Sequence, residues 1–124
     1  MPSKVLIVED DHDFATSLDL ALDLVGLSAV IAGSAEQAHE IMQDADSDIH
    51  LGFFDIKLPG EDGITCLKKI RSHNPTFVGV IMTGFRDKDT LDRARQANPI
   101  EVLLKPFKIA DFLGLAKAYS QGEQ

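Results

Sequence analysis

The sequence has one cysteine, no long apolar run and few basic residues. The single cysteine, Cys66, excludes an intrachain disulfide, which fits a reducing compartment. A membrane-spanning helix needs roughly 18 or more consecutive apolar residues, and every apolar run here is much shorter. The segment Met1 to Lys4 leads directly into the first apolar run and leaves no room for a signal peptide. We therefore expect a cytoplasmic protein without membrane association.

Basic residues are outnumbered by acidic ones, 12 against 20, so the formal net charge is −8. Nucleic-acid surfaces need clustered Lys and Arg, so direct nucleic-acid binding by this chain is not expected. The length of 124 residues suits one domain with a substantial core. We predict a domain over residues 1–119 and a polar tail over 120–124, with the start of a linker as one interpretation of the tail.

Short apolar runs alternate with segments in which apolar residues recur at helical spacing. The runs are continuous rather than alternating, which is typical of parallel strands covered on both faces. Ser34 with Gln37 forms a capping-box pattern at a helix start, and Gly26 and Asn74-Pro75 are helix stops. Five strand and helix pairs predict an α/β fold, a doubly wound (βα)5 sheet. The predicted strands are 4–8, 28–32, 49–54, 77–82 and 100–104, and the last two helices span about 88–97 and 109–119.

The first strand runs straight into three acidic residues, Glu9, Asp10 and Asp11. Carboxylates about 4 Å apart repel by roughly 1 kcal/mol in water and by more in a shielded cleft, so the cluster predicts a nearby cation. Ligands of doubly wound sheets bind beyond the carboxyl ends of the strands. Asp55, Thr83 and Lys105 also fall at such ends. We therefore expect these side chains to line one cleft.

In this order the residues resemble the receiver domains of two-component response regulators. The resemblance covers nearly the whole chain, and it implies a flavodoxin-like sheet in the order 2-1-3-4-5 and a cis Lys105-Pro106 bond. It rests on the acidic pair Glu9-Asp10, on Asp55 with Pro59, Gly60 and Gly63, on Thr83-Gly84, and on Lys105-Pro106-Phe107.

The resemblance implies that Asp55 accepts a phosphoryl group from a histidine kinase or a histidine phosphotransfer protein. Thr83 and Lys105 would contact that group, and Lys105 would pair with Asp55 before phosphorylation. A Mg²⁺ or Mn²⁺ ion would be bound by Asp10, by Glu9 through water, by Asp55 and by the backbone carbonyl of Lys57. The domain would catalyse its own phosphorylation and slow self-dephosphorylation, and would not be a conventional enzyme. Asp11 is interpreted as a helix cap in preference to a ligand.

One position departs from the family pattern. Three residues before Lys105, where receivers commonly have Tyr, Phe or His, this chain has Val102. A valine has few side-chain rotamers and no hydroxyl group, so a signal to the fourth helix, fifth strand and fifth helix would need another route. A weak homodimer through that face stays open.

Two alternative functions also stay open. One is a phosphorylation-independent interaction module that retains a vestigial acidic cleft. The other is a flavin-binding or metal-hydrolase domain, which is disfavoured because carboxylates follow the first strand where a phosphate loop would be needed. The four histidines have no common ligand spacing, and they and Cys66 are interpreted as surface or packing residues.

Overall fold

The computed structural model describes residues 4–44 and 48–121, so residues 1–3 of the predicted domain and 122–124 of the predicted tail lie outside it. Within the described residues, strands and helices alternate in the predicted order. The elements are β1 Lys4–Val8, α1 His12–Asp23, β2 Ser28–Ala32, α2 Ala35–Gln43, β3 Ile49–Asp55, α3 Gly63–His73, β4 Val78–Thr83, α4 Lys88–Arg95, β5 Glu101–Leu104 and α5 Ile109–Tyr119.

The described strands form a parallel sheet in the order β2-β1-β3-β4-β5, which confirms the predicted topology. In the register, Val8 lies beside both Ala32 and Phe54, and Asp55 lies beside Met82. The strands therefore end close to one another, at one edge of the sheet. This arrangement places the residues that follow them in a common cleft.

Each face of the sheet carries its own apolar core, because successive side chains of a strand point to opposite faces. On one face Ile7, Phe53 and Val80 pack with α1 and α5. On the other face Leu6, Phe54 and Ile81 pack with α2 and α3. All six side chains are fully buried, which explains the continuous apolar runs in the sequence.

Helix ends follow local backbone chemistry. The helical bonding of α1 stops in a turn where Gly26, at φ +77°, adopts the left-handed conformation and the Leu27 amide donates to the Leu22 carbonyl oxygen at 3.1 Å. The C-cap residue is Leu24, and Gly26 lies in the turn that stops the helix, as predicted from sequence. Helix α4 ends at Arg95, two residues before the predicted bound, and its last turn leads to Asn98 at φ +54°. The Lys105-Pro106 bond is cis, as the resemblance implied.

Candidate functional site

Five side chains predicted for the cleft lie at the carboxyl edge of the sheet. Glu9 and Asp10 follow β1, and Asp55 and Thr83 are the last residues of β3 and β4. Carboxylate oxygens of Glu9, Asp10 and Asp55 lie within 4.8 Å of one another. Lys105, the first residue after β5, reaches this group from the other side. The fold therefore brings the acidic residues and the lysine together as predicted.

Lys105 bridges two of the carboxylates. Its Nζ donates to Glu9 Oε1 at 2.8 Å and lies 3.5 Å from Asp55 Oδ2, so Glu9 is the nearer partner and the predicted Asp55 pair is the longer contact. The ammonium group also lies 4.7 Å from the ring centroid of Phe14, within range of a cation–π interaction. Burial lowers the pKa of Lys105, but the hydrogen bond to Glu9 and the charge of Asp55 outweigh it, so the pKa is raised.

Glu9 is an acid held almost out of solvent. Its residue is 2% exposed, and its Oε2 accepts a hydrogen bond from the Asp11 amide at 3.2 Å. Burial, and then the neighbouring Asp55, raise the pKa of Glu9 to about 7 against the opposing effect of Lys105. One lysine thus compensates the negative charge of the cleft only in part, so a bound cation would be stabilised here.

The donor chemistry of the acidic group fits Mg²⁺ or Mn²⁺. Both ions prefer carboxylate, carbonyl and water oxygens, and Mg²⁺ retains several waters in an octahedral shell. Glu9, Asp10 and Asp55 offer oxygen atoms only, and Asp10 is exposed, which leaves room for water ligands. Lys57 lies two residues beyond β3, and its carbonyl remains a predicted ligand.

Two further side chains at this edge have clear local roles. Asp11 Oδ1 accepts from the Phe14 amide at 3.1 Å, so Asp11 is the N-cap of α1, as the preferred interpretation held. Thr83 is 1% exposed, and its Oγ1 accepts from the Phe85 amide at 2.9 Å. A hydroxyl group that accepts one hydrogen bond can still donate its proton. Thr83 therefore links the cleft to the backbone that enters α4.

Gly63 has a structural role at the site that the motif alone did not reveal. A Cβ atom on Gly63 would lie 1.9 Å from the carbonyl oxygen of Asp55, and the Gly63 amide donates to the Ile56 carbonyl oxygen at 3.1 Å. The start of α3 thus packs directly on the backbone of Asp55. Asp62 caps α3 through the Thr65 amide at 2.9 Å and also pairs with Arg93 of α4.

Fold and site together define a class of protein, a doubly wound α/β domain with an acidic cleft and a lysine at the carboxyl edge of its sheet. The family model of the response regulator receiver domain matches residues 5–117. The chain belongs to this family. Receiver domains of response regulators interact with histidine kinases or phosphotransfer proteins and bind Mg²⁺ in an acidic pocket.

Relatives and solved structures agree with this membership. Over 88% of its own length, the chain is 32% identical to the transcriptional regulatory protein KdpE of Staphylococcus aureus. It is 33% identical to the DNA-binding transcriptional regulator NtrC of Klebsiella pneumoniae, also over 88% of this chain. A crystal structure of a CheY-like response regulator receiver domain protein from Methanospirillum hungatei superposes with a TM-score of 0.85 at 25% identity, covering 95% of this chain and 93% of that one.

The chain matches only part of those longer relatives. It spans 46% of the KdpE protein and 23% of the NtrC protein. The DNA-binding and transcriptional roles in the names of these relatives belong to those longer proteins. Among the described residues, no helix is both long and apolar enough to cross a membrane.

Proposed function

We propose that this domain is a phosphorylation-dependent signalling switch in which Asp55 accepts a phosphoryl group. The observation that carries the proposal is the convergence of three carboxylates within 4.8 Å of one another, two of which, Glu9 and Asp55, are bridged by Lys105. The Asp55 side chain, 12% exposed, lies at the end of β3, the central strand of the sheet. A carboxylate so placed is a competent nucleophile for phosphorus when the charge of the phosphoryl oxygens is stabilised.

The proposed reaction moves a phosphoryl group from a phosphohistidine side chain to Asp55. An Asp55 oxygen forms the new bond to phosphorus, the phosphorus–nitrogen bond breaks, and the imidazole keeps the electron pair. Mg²⁺ or Mn²⁺, held by Glu9, Asp10, Asp55 and the Lys57 carbonyl, would supply positive charge to the carboxylates and the phosphoryl oxygens. Lys105 is already within 3.5 Å of Asp55 and would pair with a phosphoryl oxygen, and Thr83 would donate its hydroxyl proton to another. Slow attack of water on phosphorus would return Asp55 to its free state.

The output face in this proposal is formed by α4, β5 and α5. The Thr83 hydroxyl, which would donate to the phosphoryl group, also accepts a 2.9 Å hydrogen bond from the Phe85 amide, so a movement of Thr83 would be passed to the segment before α4. Arg86 of the same segment donates to the Lys105 carbonyl oxygen at 3.1 Å, which gives a second connection to the cleft. These contacts support a route that bypasses Val102. We expect a smaller rearrangement of this face than an aromatic residue would give.

The proposed phosphoryl donor is a histidine kinase or a histidine phosphotransfer protein that approaches the cleft. The net charge of −8 supports the view that this domain does not itself bind nucleic acid. A weak homodimer through the α4-β5-α5 face and a cytoplasmic location stay predictions. The basic residues of α4 are exposed and each is paired with an acid of the chain, as Lys88 is with Asp92 at 2.6 Å, which favours a solvated face.

The alternative function is an interaction module that no longer uses its acidic cleft. Intact mass measurement after incubation with acetyl phosphate and Mg²⁺ distinguishes the two. The switch predicts one phosphoryl adduct in the native chain, none in Asp55→Asn, and an undiminished adduct in the matched control Asp11→Asn, because asparagine also caps helices. Absence of an adduct in the native chain under varied pH and Mg²⁺ concentration would favour the interaction module.

A further inference from the structure

A second group of ligand atoms lies outside the acidic cleft, between α2 and α3. His39 of α2, Glu61 of the loop before α3 and Cys66 of α3 place a nitrogen, an oxygen and a sulfur atom within 4.8 Å of one another. His39 Nε2 and Glu61 Oε1 are 2.7 Å apart. Glu61 and Cys66 come from adjoining parts of the chain, and the fold brings His39, 22 residues before Glu61, against them.

The sulfur atom is the unusual member of the group. Cys66 is 0% exposed, and among the described residues no hydrogen bond to its thiol is present. Burial, and then the negative charge of Glu61, raise the pKa of Cys66 to about 12, so the thiol stays protonated when no cation is near. A cation bound to sulfur reverses this effect, because a coordinated thiol loses its proton.

We propose that His39 Nε2, Glu61 Oε1 and Cys66 Sγ form a binding site for Zn²⁺ or a similarly thiophilic divalent cation, with water as the fourth ligand. Nitrogen, sulfur and carboxylate oxygen are the ligands that Zn²⁺ takes in tetrahedral sites. On binding, the Cys66 thiol releases its proton to solvent, the metal–sulfur bond forms, and His39 coordinates as the neutral imidazole. The oxygen-only cleft at Asp55 prefers Mg²⁺ instead, so the two sites differ in chemistry.

The distances are compatible with small side-chain adjustments. Zinc bonds of about 2.0–2.3 Å at tetrahedral angles separate ligand atoms by about 3.4–3.6 Å. The His39–Glu61 pair, now 2.7 Å apart, would open by about 0.7 Å, and the sulfur, within 4.8 Å of both, would approach by about 1.2 Å at most. The His39 and Glu61 side chains are 27% and 23% exposed, so both lie partly at the surface, where shifts of this size do not require the core to repack.

The surroundings give the cation access and leave the needed oxygen available. A cleft of about 560 Å³ is lined by two of the three ligands, His39 and Glu61, together with Ser34, Glu36, Pro59 and Gly60. Lys69 pairs with the other carboxylate oxygen of Glu61, Oε2, so that Oε1 remains directed at His39. The negative charges of Glu61 and of the Cys66 thiolate would offset the charge of the cation.

Co²⁺ is the probe for this site, because a cobalt–thiolate bond gives a charge-transfer absorption band that oxygen and nitrogen ligands do not give. The chain has one cysteine, so the band reports on Cys66 alone. Titration of the native chain with Co²⁺ in excess Mg²⁺, which occupies the acidic cleft, should produce the band. Added Zn²⁺ should abolish it by displacement.

Variants separate coordination from nonspecific binding. Cys66→Ala should lose the band, and His39→Gln, a change at a partly exposed position, should weaken Co²⁺ binding at least about tenfold. The matched control is His50→Gln, since His50 also pairs with a carboxylate, Asp48, at 2.8 Å but has no nearby thiol, and it should bind Co²⁺ as the native chain does. Absence of the band in the folded native chain, or equal Co²⁺ affinity of His39→Gln, would overturn the proposal.

Discussion

The contact between Gly63 and the backbone of Asp55 makes a quantitative prediction about how the proposed phosphoacceptor is positioned. In Gly63→Ala the new Cβ atom would lie 1.9 Å from the Asp55 carbonyl oxygen. Real Cβ contacts essentially never fall below 3.0 Å, so the two backbones must separate by about 1.1 Å. Such a shift would break the 3.1 Å hydrogen bond from the Gly63 amide to the Ile56 carbonyl oxygen.

The loss of stability in Gly63→Ala follows from the backbone separation and the broken hydrogen bond. An unsatisfied buried backbone group costs about 1–3 kcal/mol and overpacking a further 1–3 kcal/mol or so, whereas the reduced entropy of the unfolded chain returns roughly 0.4–1 kcal/mol. We expect Gly63→Ala to lower the free energy of unfolding by about 1–6 kcal/mol. The displaced Asp55 should also be phosphorylated more slowly by acetyl phosphate.

The measurement is urea unfolding followed by far-ultraviolet circular dichroism, since the chain has no tryptophan for fluorescence. Gly114→Ala is the matched control. Gly114 is exposed within α5, and a Cβ there meets nothing within 4 Å, so alanine should stabilise the domain by about 0.5–1 kcal/mol. Native stability and native phosphorylation rate in Gly63→Ala would refute the reasoning.

Three further predictions concern charge, metal and signal. Asp62→Asn keeps a capping side chain but loses the ion pair with Arg93, and should cost at most about 1 kcal/mol because both partners are partly exposed. Burial alone would raise the pKa of Asp62, but the hydrogen bond from the Thr65 amide and the charge of Arg93 outweigh it, so the pKa is lowered. The stability that the Asp62 carboxylate adds is therefore complete above the unfolded pKa of about 3.9 and is lost as pH falls through the folded pKa. Urea unfolding at several pH values should show that the stability difference between Asp62→Asn and the native chain vanishes in acid. Mg²⁺ at ten times its dissociation constant should raise the free energy of unfolding of the native chain by about 1.4 kcal/mol. The same Mg²⁺ concentration should raise that of Asp10→Asn by clearly less, and thermal unfolding would measure both changes. Solution NMR with a phosphoryl mimic should show large shifts around the acidic cleft, Lys105 included, and only small shifts across residues 86–104. Extensive reorganisation of 86–104 would contradict the reduced rearrangement expected with Val102.

Much of the fold follows from the sequence because its signals are local. Continuous apolar runs such as Val5 to Val8 indicate buried parallel strands, and the N-cap Ser34 and the turn residue Gly26 mark where helices begin and stop. Boundaries differed where backbone pairing decides them. Phe77 was predicted as the first residue of the fourth strand, but its amide donates to the Asn74 carbonyl oxygen, and the strand begins one residue later.

The cleft was predictable in its residues but not in its internal pairing. Parallel strands end at one edge, so the meeting of Glu9, Asp55 and Lys105 could be expected from their positions. Lys105 lies nearer to Glu9 than to Asp55 because of side-chain conformations, which the spacing of residues in the sequence does not determine. The group of His39, Glu61 and Cys66 was missed for a related reason, because its members are 22 and 5 residues apart and no known ligand motif has that spacing.

The most direct test of the central claim is to locate the phosphoryl group chemically. After incubation with acetyl phosphate and Mg²⁺, borohydride reduces an acyl phosphate to the alcohol, and peptide mass spectrometry then identifies the altered carboxylate. The account predicts one modified residue, Asp55, in the peptide that contains the end of β3. Modification at Asp10, Asp11 or another carboxylate, with Asp55 unchanged, would contradict it.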